Sequence, residues 1–229
     1  MKRIRSLARV RTGHRTYWQT AAFAALTVLA GLLLSAPVLA QECFDRAELL
    51  SLTGDADRPR LIAADRHVLI VRHARKVSED CNALDCPLGI AGQAMVTRLD
   101  TLLGPEDFDA VYSSSACRTY ETALAAGPVE QHAAAPSATA LCGGGEADRS
   151  RADAQVDVSS SDARWTLVAE HSNTTCGWVG AIAGEDALAG TLCESGRLSS
   201  ADYGDIFWLH RIDGVWQLTV LEGVFDVAE

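Results

Sequence analysis

"VLIVRHARK", Val68 to Lys76, places four apolar residues directly before Arg72, His73 and Arg75. A short unbroken apolar run rich in branched residues reads as a strand buried on both faces, as in a parallel sheet. The residues after it then occupy the loop at the strand's carboxyl end, where open α/β sheets bind their ligands. A lone Arg-His pair at such a point is usually a surface turn. A histidine flanked by two guanidinium groups also suits a dianionic phosphate, and the rest of the chain chooses between the two.

Working outward, "GIAGQAMVTRLDTLLG" has apolar residues at helical spacing and stops at Gly104. "FDAVYSSS" reads as a second strand opening into a serine-rich turn, with "RTYETALAA" as a helix behind it. From about Gly127 to Arg164, Ala, Ser, Gly and Asp dominate; only "TALC" looks regular, and a long irregular excursion is expected. "RWTLVAEHSNT" restores a strand feeding a polar turn, "CGWVGAIAG" a short helix, and "DIFWLHRIDGVWQLTVLEG" alternates around Asp213-Gly214 as a hairpin does. This order predicts an α/β sandwich. Three predicted strand ends carry phosphate-type groups: Arg72, His73 and Arg75; Ser113 to Arg118; and His171 to Thr174.

Residues 1–40 read as a signal peptide, because Lys2, Arg3, Arg5, Arg9, Arg11 and Arg15 precede the uncharged run "AAFAALTVLAGLLLSAPVLA". Val38 and Ala40 suit cleavage before Gln41; an uncleaved anchor facing the periplasm is the alternative. Glu42 stands where a lipid-modified Cys43 would need a small residue. Without the leader, 14 Lys and Arg face 30 Asp and Glu, a charge of −16. Nucleic acid is therefore excluded as a partner, and an anionic substrate requires a local cationic pocket. Residues 41–229 suffice for one domain.

The seven cysteines fit an exported protein, and the absence of any CxxC pair argues against a zinc ribbon. Cys81 and Cys86 suit a loop-closing disulfide. Cys117 and Cys176 lie beside the candidate site and could pair, or a bridge could join any two of Cys117, Cys142, Cys176 and Cys193.

In order and spacing, "LIVRHARK", "CPLGIAGQAMVTRL", "VYSSSACRTYETA" and "LVAEHSNT" resemble the histidine phosphatase superfamily, which includes the phosphoglycerate mutases. The resemblance runs from about His67 to Thr174. It implies a three-layer sandwich with a mostly parallel central sheet flanked by helices, and a phosphomonoesterase working through phosphohistidine without a cofactor or metal. His73 matches the nucleophile; Arg72, Arg118 and His171 match the groups that hold the phosphoryl oxygens. Arg75, Ser113 and Asn173 are further substrate-binding candidates. No motif fixes the acid that protonates the leaving group, and Glu146 and Glu170 are the candidates, although neighbours on a strand face opposite sides. The leader, the cysteine loop and the ending "LEGVFD" look most like periplasmic lipopolysaccharide core heptose phosphatases, implying a small-molecule or glycan phosphate monoester near the envelope as substrate. The competing class is an inactive phosphate-binding or envelope-interaction domain. His14, His67, His132 and His210 lack such company and read as structural or exposed.

Overall fold

The apolar runs form the centre of a six-stranded sheet. In the computed structural model, which describes residues 46–105 and 108–227, the strands are β1 (Arg66–Arg72), β2 (Ala110–Ser114), β3 (Glu130–His132), β4 (Trp165–Glu170), β5 (Ile206–Ile212) and β6 (Val215–Leu221). Their order is β3-β2-β4-β1-β5-β6. The first four are mutually parallel, while β5 runs antiparallel to both β1 and β6. β1 is buried at all seven residues because it has neighbours on both edges and a layer on both faces.

Alternation along β1 divides the core. Leu69 and Val71 pack with α1 (Ala47–Ser51), α2 (Arg58–Ala63), α3 (Ile90–Leu103) and α4 (Cys117–Ala123). Val68 and Ile70 face α5 (Arg151–Ser160) and α6 (Thr175–Ala183). The result is the expected α/β fold, a mixed sheet between two helical layers. At the hairpin, Asp213 and Gly214 both take positive φ (50° and 79°), the mirror-image turn whose twist matches its strands.

One helix and one strand fall where the sequence reading expects an irregular excursion. The stretch 127–164 contains β3 and the ten-residue α5. Helix α5 buries only Ala154 and Val158, too few apolar residues for a periodic signal. Its start was nonetheless encoded: Ser150 accepts from the Asp153 amide and Asp153 from the Ser150 amide, a capping box with Asp in place of Glu. The described residues belong to one compact unit. The expected leader, residues 1–40, with Glu42 and Cys43, lies outside the described residues. No helix among the described residues is long and apolar enough to cross a membrane.

Three disulfides join Cys81 to Cys86, Cys117 to Cys142, and Cys176 to Cys193. The first is the expected local bridge. Cys117 does not meet Cys176, because the two sit at the starts of α4 and α6 on opposite faces of the sheet. Cys117 instead holds the excursion against the β2 loop, where the Cys142 amide also donates to the Ser115 carbonyl. Each bridge typically contributes about 2–4 kcal/mol by constraining the unfolded chain. Thiol titration of the denatured, unreduced chain should therefore find at most one of the seven cysteines free, and reduction should lower Tm; six or seven free thiols would contradict the pairing.

Candidate active site

The ends of β1, β2 and β4 open into one cleft of about 310 Å³, lined by Arg72, His73, Lys76, Asn82, Leu84, Arg118, Ala134, Ala135, Ala138, His171, Ser172 and Asn173. The parallel pairing sets their positions: Arg72 lies opposite Glu170, and the His73 amide donates to the Glu170 carbonyl (2.7 Å). The His73 and His171 rings then stand 5.4 Å apart, edge to face.

His73 is 4 % exposed. Its Nδ1 lies 2.8 Å from the Ala74 carbonyl, which can only accept, so Nδ1 carries the proton and Nε2 keeps its lone pair. Burial pushes the His73 pKa well below 6.5, and the charges of Arg118 and Arg72 push the same way, so the ring is neutral. The Ala74 amide donates to Thr122 Oγ1 (2.9 Å), fixing the carbonyl that orients the ring.

Both arginines are held by main-chain acceptors. Arg72 Nη1 donates to the carbonyls of Ser199, Ser200 and Asp202, and its guanidinium stacks on Tyr203, 3.7 Å from the ring centroid. Arg118 Nη1 donates to the Ala83 carbonyl (2.8 Å), within the loop closed by Cys81–Cys86. In both, Nε is buried without an acceptor. A buried donor left unsatisfied costs about 1–3 kcal/mol, and both arginines that line the cleft carry one. His171 Nε2 lies 2.9 Å from Ser114 Oγ, which is 2.7 Å from Thr119 Oγ1, so the end of β2 sets the orientation of this second imidazole.

Of the other sequence candidates, all but Asn173 fall elsewhere. Ser113 is fully buried and donates to the Ser114 carbonyl; the serine that touches His171 is Ser114, one residue on and on the other side of the strand. Arg75 forms a two-pronged ion pair with Asp226 and lies outside the cleft lining. Glu146 is exposed in a bridge with Ala140 and does not line the cleft. Asn173 does line it.

Glu170 points into the opposite layer, fully buried. Its Oε1 accepts from Trp178 Nε1 (2.8 Å) and lies 3.0 Å from His132 Nε2; its Oε2 accepts from Thr174 Oγ1 (2.7 Å) and the His171 amide (3.2 Å). Burial alone would raise its pKa, but the bond to His132, the nearby imidazoles and Thr174 outweigh that and hold it at about 2. Glu170 is thus an anion behind the cleft with no proton to give. His132, at the end of β3, is its partner, and a contact between residues 38 apart in the sequence leaves no signal in the local pattern.

These titrations predict a direction for stability. Burial lowers the pKa of His171 from 6.5 to about 4 and that of His67 to about 3. Between those values and 6.5 the unfolded chain binds protons that the native chain does not, so stability falls as pH falls. Glu170, depressed from 4.5 to about 2, acts in the same direction over a lower window. Tm measured by calorimetry from about pH 7 down to about pH 4 should decline steadily; a flat profile would mean that these imidazoles take up protons in the folded state.

Residues 68–136 match the profile of the histidine phosphatase superfamily, branch 1. No curated protein matches the chain. Among solved structures, the chain is similar to the protein described as the phosphohistidine phosphatase SixA of Agrobacterium tumefaciens, with 20 % identity over 68 % of this chain and 95 % of that one, TM-score 0.45. It is similar to the protein histidine phosphatase SixA complexed with tungstate, with 16 % identity over 69 % and 97 %, TM-score 0.46. It is also similar to the mycobacterial glucosyl-3-phosphoglycerate phosphatase with inorganic phosphate, with 19 % identity over 71 % and 100 %, TM-score 0.47. The stretch that supplies Arg72, His73, Ser114 and Arg118 is the part of this chain similar to the histidine phosphatase superfamily, and that similarity supports phosphatase chemistry.

Proposed function

We propose that the chain is an exported phosphomonoesterase that hydrolyses its substrate through a phosphohistidine at His73, and that its substrate is a sugar phosphate such as those of the lipopolysaccharide core. The observation that carries the reading is a neutral imidazole whose Nδ1 is tied to the Ala74 carbonyl, in a cleft shared with Arg72, Arg118 and His171. The family match over residues 68–136 supports it. The arginine-rich, then apolar, N-terminal segment supports export, as do three disulfides, which persist in oxidising compartments.

The chemistry follows from these groups. The His73 Nε2 lone pair forms the N–P bond as the bond from phosphorus to the leaving oxygen breaks. The Arg72 and Arg118 forks and His171 meet the three equatorial oxygens, on which transition-state charge is spread. Water then attacks phosphorus, the P–N bond breaks, and His73 returns to its neutral form with inorganic phosphate released.

No Asp or Glu lines the cleft among the described residues. The departing oxygen then takes its proton from solvent, so turnover should depend steeply on leaving-group acidity. The same observation favours the second reading, a phosphate-binding domain without turnover, and an aryl phosphate separates the two because its leaving group departs unprotonated. Among the described residues no group of three His, Cys, Asp or Glu is placed to hold a metal ion, so chelator should leave turnover unchanged. No hydrolysis of aryl phosphate at any pH from acidic to neutral would select the binding reading.

His73→Ala should abolish both turnover and the acid-labile, alkali-stable label on the protein. Arg118→Lys keeps the charge but loses the planar fork, and should lower kcat/KM by about 100-fold or more. Labelling that survives in His73→Ala, or near-normal turnover in Arg118→Lys, would remove that residue from the mechanism.

A further inference from the structure

A second cavity, of about 280 Å³, is lined by Ala133, Ala134, Ala135, Pro136, Ser150, Arg151, Ala152 and Gln155. It shares Ala134 and Ala135 with the catalytic cleft, so the two are adjacent, with that alanine pair lining both. Its floor is made of small apolar side chains, and it holds no acidic residue. This wall is fixed in place: Ser115 Oγ accepts from the Ala134 amide and donates to the Ala138 carbonyl, and Cys117–Cys142 ties the same excursion to α4.

The one charged group in the cavity is Arg151. Its neighbour Arg149 is paired with both Glu130 and Asp157. Arg151 makes no ion pair or hydrogen bond among the described residues. Its charge also acts on His171, which places it within electrostatic reach of the cleft. In a mature chain of charge −16, an uncompensated guanidinium beside the cleft adds to the local cationic field that an anionic substrate requires.

We propose that this cavity is the leaving-group subsite: the apolar part of the leaving group packs on Ala133–Pro136, and a second anionic group on it, a carboxylate or phosphate, is bound by Arg151. The inference rests on the phosphatase reading above and adds the substrate class, a phosphomonoester whose leaving group is itself acidic. Arg151 is then a specificity-determining residue and takes no part in the displacement at phosphorus.

The test uses two aryl phosphates with nearly equal leaving groups, the phosphate ester of para-hydroxyphenylpropanoate and that of its neutral primary amide. The readout is the ratio of their kcat/KM values in the full mature chain. The wild-type chain should favour the acid by about tenfold, the scale of one charge-assisted contact at a partly exposed site. The ratio should fall to about one in Arg151→Gln, drop below one in Arg151→Glu, and persist in Arg149→Gln. A wild-type ratio near one, or a preference that survives in Arg151→Gln, overturns the subsite while leaving the phosphatase reading intact. If the wild-type chain hydrolyses neither ester, the phosphatase reading falls and the subsite falls with it.

Discussion

The parallel ladder between β1 and β4 is the constraint on which the cleft depends. Its register sets Arg72 opposite Glu170 and lets the His73 amide bond the Glu170 carbonyl. Because side chains alternate along a strand, this single register sends His171 into the cleft and Glu170 into the layer behind it. A slip of one residue would exchange them. The cleft would gain a carboxylate among cations meant for a phosphoryl group, and an imidazole would enter a layer packed for a carboxylate. The register is protected by β1 itself, whose two faces are committed to different helical layers by Val68 and Ile70 on one side and Leu69 and Val71 on the other.

Sending Glu170 inward has a cost that the surrounding elements meet. A buried carboxylate is tolerated only with enough partners, and four converge on it from β3, the turn after β4 and α6: His132, the His171 amide, Thr174 and Trp178. His132 Nδ1 donates to the Ala133 carbonyl, and its Nε2 lies 3.0 Å from Glu170 Oε1. The pair therefore links the edge strand β3 to the turn that carries His171, and Ala133 to Ala135, which wall the cleft and the second cavity, follow directly from His132. The anion is structural, yet it determines where the cleft's wall stands.

How much of this could be read from sequence depended on where each residue's partners lie. β1, β2, β4, α3, α4, α6 and the hairpin each bury a continuous or periodic set of apolar residues, so the pattern is local and visible. The histidine and arginine of the first motif, Arg118 and His171 were legible because they sit at the ends of those same strands. Helix α5 and β3 were not: one buries two side chains, and the other is a three-residue edge strand held by a neighbour distant in sequence. Four cysteines permit three pairings, and spacing cannot choose among them; the faces of the sheet do, by separating Cys117 from Cys176. The exchange of Ser113 for Ser114 is a question of strand parity at a point where β2 turns into its loop, and a run of three serines carries no parity signal of its own.

The electrostatics of the cleft also require that its neighbours be neutralised. Arg72 and Arg75 both stack on Tyr203, at 3.7 and 4.6 Å from the ring centroid, so one ring face or edge serves two like charges. Asp226 takes both prongs of Arg75, leaving Arg72 to main-chain carbonyls that supply no net charge. Had Asp226 paired with Arg72 instead, a guanidinium lining the cleft would be compensated before any substrate arrived, and its field on a phosphoryl group would be largely spent. Carbonyl anchoring keeps that charge available while still fixing its position, and Arg118, held by the Ala83 carbonyl, repeats the device. Preorganised donors without counter-ions stabilise developing negative charge at little reorganisation cost. The same arrangement explains why the carboxylates of this acidic chain are kept out of the cleft: Glu170 by strand parity and its four partners, Asp226 by Arg75, and Glu146 by its place in an exposed turn.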